Sequence, residues 1–211
     1  MQNPRQLAFL ALRDIHKQGA FTDIALDRVL RSTELSSANR GLVTELVYGC
    51  VRRQRTLDAI IDQLGKKKAH QQPPDFRTIL HIGLYQLRYQ QERIPASAAV
   101  NTTVELTKVN GFKGLAGVAN GLLRQYERLA AIPPDLKIDA GTPGHREAET
   151  QRFSSFVVNA TSWESNPKSN DPLQLPTKPV EHLGILHSFP DWIIQMWLEQ
   201  LGVEETQMLC E

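Results

Sequence analysis

The feature that most restricts this chain is the spacing of its apolar residues, which over the first 130 positions recur with a helical and not a strand period. Leu7, Leu10, Ala11 and Ile15 fall on one stripe, and Gly19 stands where a helix would stop. Residues 24 to 31 form a second short unit. A third helix is expected to start at Ser36 or Ser37, either of which could cap it, and to carry Leu42, Leu46, Val47 and Cys50; a fourth carries Leu57, Ile60, Ile61 and Leu64, closed by Gly65 and Lys66, Lys67 and Lys68. Pro73-Pro74-Asp75 starts a fifth helix whose inner face is Phe76, Ile79, Leu80, Gly83, Leu84 and Leu87. Pro95 opens a sixth with Ala99, Val100 and Val104, and a seventh holds Leu115, Val118, Leu122 and Leu123. The expected fold class is therefore all-α, a bundle of about seven helices over residues 1–130.

The composition changes after Ala130. Seven of the twelve prolines lie between 131 and 180, among Gly, Ser, Asn and Thr and without sustained periodicity, so this stretch is expected to be a disordered linker or insertion. Ser188-Phe-Pro-Asp-Trp192 then starts another helix, with Ile193, Met196, Trp197 and Leu201 apolar, so 181–211 reads as the beginning of a second helical region. Charge divides at the same place. Residues 1–130 hold 19 Lys and Arg against 11 Asp and Glu, and residues 131–211 hold 5 against 12. A basic first segment is the electrostatic footprint expected of a nucleic-acid binder, and equally of a solvated helical surface.

Familiar catalytic constellations are missing from this pattern. Gly111-Phe-Lys-Gly114-Leu-Ala-Gly117 has no strand before it and no Walker lysine after it; Gly114, Gly117 and Gly121 are read instead as close-approach points between helices. His16, His70, His81, His145, His182 and His187 show no metal-ligand spacing, and His81 is expected to be packed within its helix. Cys50 and Cys210 suit a reducing compartment. With no apolar leader and no run of about 18 apolar residues, the expected location is cytoplasmic, with no membrane partner.

Four ordered patterns are more specific: Arg40-Gly-Leu-Val-Thr-Glu45-Leu-Val-Tyr48-Gly49-Cys-Val-Arg52-Arg53 followed by Leu57-Asp58; Arg77-Thr-Ile-Leu80-His-Ile-Gly83-Leu-Tyr85-Gln86-Leu87; Ile94-Pro95-Ala-Ser-Ala-Ala99-Val100-Asn101; and Val118-Ala-Asn120-Gly-Leu-Leu-Arg124. In order and spacing they resemble the NusB-like domain, most closely the version that opens the RsmB/Sun family of 16S ribosomal RNA (cytosine-C5) methyltransferases. Ser188-Phe189-Pro190-Asp191-Trp192-Ile193 resembles the start of the following helical region in that family.

The resemblance implies the RNA-docking N-terminal part of an S-adenosylmethionine-dependent methyltransferase, cut before its catalytic domain. In the family a cysteine thiolate attacks C6 of cytosine, and a second cysteine assists elimination after methyl transfer to C5. Neither Cys50 nor Cys210 stands in the family's Thr-Cys or Pro-Cys context, so neither inherits that role. No cofactor is expected in this chain, and whether it acts as an enzyme stays open. The alternative is a stand-alone antitermination adaptor that binds RNA and protein without chemistry. Expected partners are ribosomal RNA and the C-terminal methyltransferase domain. Arg52, Arg53, Arg55, Lys66, Lys67 and Lys68 are the expected RNA contacts. Tyr48 and Tyr85 are expected to bury their rings, Arg40 and Glu45 to form internal ion pairs, and Asn101 and Asn120 to brace loops between helices.

Overall fold

In the computed structural model, which describes residues 3–131 and 171–210, the molecule is organised around one helix. Apolar residues occupy nearly every turn of Pro74–Tyr89 (α5), so no side of it can face water, and all of Phe76, Ile79, Leu80, Ile82 and Leu84 are fully buried. Pro74 sits at its first turn, where a missing N–H costs nothing.

The amphipathic helices Pro4–Gln18 (α1), Ser37–Arg52 (α3), Gln54–Leu64 (α4), Ala96–Val109 (α6) and Ala116–Ala130 (α7) wrap α5 with their apolar stripes inward, and Thr22–Arg31 (α2) packs on α1 and α3. The ends follow capping rules. Asn3 accepts the Arg5 N–H and Ser36 accepts the Asn39 N–H, while Gly19 terminates α1 in the left-handed region. Among the described residues there is no strand, in agreement with the all-α expectation.

The expected linker, 131–180, lies largely outside the described residues, but its last part is described and is packed against the bundle. Leu173 is buried in the main core, and Asp171 pairs with Arg88 of α5 with both side chains almost wholly enclosed. Gln63 of α4 donates to the Pro172 carbonyl at 3.0 Å and accepts the Gln174 N–H at 2.9 Å. A short helix not anticipated from the sequence, Pro179–His187 (α8), follows, and then Asp191–Cys210 (α9), broken at Gly202 where φ is +81°. Leu183, Ile194 and Cys210 form a small core between these two, flanked by Phe189 and Trp197 in edge-on contact at 5.3 Å.

Beneath α4, Asp58 receives Arg77 in a two-pronged pair and lies 2.9 Å from Nε2 of the buried His81. Burial works to raise the Asp58 pKa, but the hydrogen bonds and charges of His81 and Arg77 outweigh it and hold the carboxyl below its ordinary value. His16, 3.1 Å from the Thr78 hydroxyl, is lowered by burial and by His81 and Arg77. Both shifts act in one direction. A histidine with a lowered folded pKa loses stability as pH falls below about 6.5, and a carboxyl with a lowered pKa loses it as pH falls through that lowered value. Denaturant melts at pH 7.5, 5.5 and 2.0 should show decreasing stability at each step. His16→Gln should reduce the first decrease and Asp58→Asn the second.

Candidate nucleic-acid interface

The six expected RNA contacts are distributed to the two ends of α4 and not gathered on one patch. Arg52, Arg53 and Arg55 cluster at its N-terminal end, and Lys66, Lys67 and Lys68 follow its C-terminal end, about 16 Å away by helical rise. Arg52, Lys66 and Lys67 are exposed and make no ion pair among the described residues. Lys68 is exposed with its Nζ donating to the Asp62 carbonyl at 2.9 Å. Arg53 is half-buried with its guanidinium 5.6 Å from the centre of the Tyr89 ring, which also lies beneath Arg88.

Arg55 is occupied otherwise. Its guanidinium donates to the Phe189 carbonyl and to Asp191, both at 2.5 Å, and so holds the turn between α8 and α9. The next residue completes the joint: the Thr56 N–H donates to Ser188 Oγ at 3.1 Å and the Thr56 hydroxyl donates to the Ile185 carbonyl at 2.6 Å. Helix α4 has no side-chain cap of its own, so Ser188 supplies from 132 residues away the acceptor that its first turn lacks. Gly184 makes the approach possible, since a Cβ there would fall 2.5 Å from an Arg55 nitrogen.

A second basic feature was not found from the sequence. A cleft of about 540 Å3 opens between the start of α1, the start of α3 and the loop after α5, lined by Arg5, Asn39, Gly41, Glu45, Gln90 and Arg93 among others. Arg5 donates from Nε to Gln86 at 2.7 Å and is otherwise uncompensated by any carboxylate among the described residues, so burial pulls its pKa below the ordinary value. Gln90 is 94% buried, and its Oε1 has no hydrogen-bond partner. Arg5 and Arg93 are far from each other and from Arg52 in sequence, so no local charge cluster marks them.

Several other expectations change. Tyr85 is buried and donates to Glu45 at 2.6 Å, as read, but Tyr48 is 41% exposed. Neither Arg40 nor Glu45 is in an ion pair among the described residues; Glu45 accepts from the Tyr85 hydroxyl instead. Asn101 and Asn120 are exposed, and neither side chain makes a hydrogen bond among the described residues. A Cβ at Gly114, Gly117 or Gly121 would meet open space, so these are not the close approaches; Gly49 is one, under the Tyr85 ring. His81 is packed, as expected.

Among the described residues no group of three His, Cys, Asp or Glu could hold a metal, and no helix is long and apolar enough to cross a membrane. Fold and surface together define an all-helical bundle centred on α5. The NusB family model matches residues 2–128, and the chain belongs to the NusB family.

Relatives extend the match into the tail. The chain is 42% identical over 210 residues, all but its full length, to a probable ribosomal RNA small subunit methyltransferase B of Synechocystis, and 29% identical over 206 residues to the one of Bacillus subtilis. Over 126 residues it is 33% identical to ribosomal RNA small subunit methyltransferase B of Yersinia pseudotuberculosis, covering 60% of this chain and 28% of that protein. The chain spans 38% of the length of the Synechocystis relative and 37% of the Bacillus one.

Proposed function

We propose that this chain is the RNA-docking part of a ribosomal RNA small-subunit methyltransferase, presenting rRNA to a catalytic domain that would bind S-adenosylmethionine. The observation that carries the RNA-binding half is that Arg52, Lys66 and Lys67 are exposed and have no carboxylate partner among the described residues, with Arg53 beside Arg52. Such charges are free to displace the counterions of a phosphate backbone. Arg55 is left out of the set because its donors are used within the protein.

The methyltransferase half rests on the relatives, whose similarity runs through α8 and α9 and whose length is more than twice that of this chain. Helix α9 suits a role as a bridge. It is fastened to the bundle through Arg55, yet leaves Trp192, Met196 and Leu201 exposed, a surface on which a further domain could pack. The same fastening favours this reading over an antitermination adaptor, because the tail is joined to the bundle by specific hydrogen bonds.

Charge reversal tests the RNA half. Arg52→Glu, Lys66→Glu and Lys67→Glu combined should weaken binding to single-stranded rRNA fragments and flatten the slope of log K against log salt by about 2, at roughly 0.7 per lost contact. Helical content and melting temperature should stay near those of the parent, since the three side chains are exposed and make no ion pair among the described residues. A folded triple variant with unchanged affinity would place the RNA elsewhere.

A further inference from the structure

The cleft between α1, α3 and the loop after α5 combines groups that do not satisfy one another. Arg5 and Arg93 bring positive charge with no carboxylate paired to either among the described residues. Glu45 brings a carboxylate of which only Oε1 is engaged, by Tyr85. Gln90, which lines the cleft, brings an amide oxygen closed off from solvent and without a donor among the described residues, so that a rotation of its side chain would present it to a ligand. A simple anion would satisfy the arginines but be repelled by Glu45 and leave Gln90 Oε1 unpaired. A purely cationic ligand would meet the reverse objection.

A nucleotide satisfies both halves, because it carries phosphates at one end and, on some bases, an exocyclic amino group at the other. We propose that this cleft holds one unpaired nucleotide of a single-stranded RNA, with Arg5 and Arg93 on its phosphates and with Gln90 Oε1 and Glu45 accepting from the amino group of its base. This deepens the RNA-docking reading above and rests on it. Carboxylates and amide oxygens accept from the cytosine amino group, and single-stranded RNA is read on such exposed base edges.

The rest of α3 extends the track. Gly41, Glu45, Tyr48 and Arg52 are spaced 4, 3 and 4 residues apart and all are exposed, so they form one stripe about 16 Å long from the cleft to the Arg52 and Arg53 cluster. Tyr48 stands midway with 41% of its surface open, a platform on which a neighbouring base can stack. The exposed tyrosine and the partnerless amide thereby become parts of one strand path.

The requirement for an amino group is what the experiment reads. With the full chain, fluorescence titration of equal-length oligocytidylate and oligouridylate RNA should show about tenfold tighter binding of the former, since uracil offers no exocyclic amine. Gln90→Leu and Glu45→Gln should each reduce that preference without abolishing binding of either RNA, while Arg93→Ala should weaken both RNAs alike. Melting curves of each variant confirm folding, and Glu45→Gln, at an exposed position, serves if Gln90→Leu does not fold. Equal affinity for the two RNAs, or a preference that survives in the folded variants, overturns the base-reading cleft while leaving salt-dependent docking intact. Failure of both RNAs to bind at low salt overturns the docking reading as well.

Discussion

Replacing Asp171 by alanine should destabilise the protein by about 3 to 5 kcal/mol, the usual cost of removing one partner from a buried ion pair. The side chains of Arg88 and Asp171 are 6% and 3% exposed, so the substitution takes from a buried guanidinium the carboxylate it is paired with. Asp171 also accepts the Leu173 N–H at 3.1 Å, which seats Leu173 in the main core. For a chain of this size the melting temperature should fall by roughly 10 °C. Asp171→Ala combined with Arg88→Met should recover much of the loss, because the buried positive charge is then gone together with its counter-charge. An Asp171→Ala variant as stable as its parent would mean that residues 171–175 do not dock on α5.

Gly49→Val should cost about 2 to 3 kcal/mol by overpacking. A Cβ at this position would lie 2.0 Å from the Tyr85 ring, and the ring cannot swing away easily because its hydroxyl is held by Glu45 and its face lies 5.0 Å from Tyr89. Tyr85→Leu makes room at the cost of that hydrogen bond. In a double-mutant cycle measured by urea unfolding, the pair should therefore be more stable than the sum of the two single losses allows. Additive losses would show that the helices separate at this crossing instead of clashing.

Helical periodicity made the seven-helix bundle legible, but it gave α5 one inner face like the others, and the central position of that helix, buried on nearly every turn, emerges only from the packing. The joint between bundle and tail was not legible. Arg55 sits in the run Arg52-Arg53-Gln54-Arg55 and reads locally as one more surface cation, while its partners Phe189 and Asp191 lie more than 130 residues on. Helix α8 escaped for a related reason: it has only nine residues, follows several prolines, and contains a glycine needed for contact with Arg55. Periodicity also assigned glycines to the wrong neighbours. Without a side chain a glycine shows no preference for either face, so Gly49 under a ring and Gly117 in open space look alike in a sequence. The cleft went unseen because Arg5, Glu45, Gln90 and Arg93 come from three separate segments and meet only through the packing of α1, α3 and α5.

RNA docking by an exposed, unpaired set of cations is tested most directly by equilibrium titration of the full chain with single-stranded rRNA fragments over a series of salt concentrations. Three or four phosphate contacts predict a straight line of log K against log salt with a slope of roughly −2 to −3. Absence of binding at low salt, or an affinity that does not change with salt, would contradict the account.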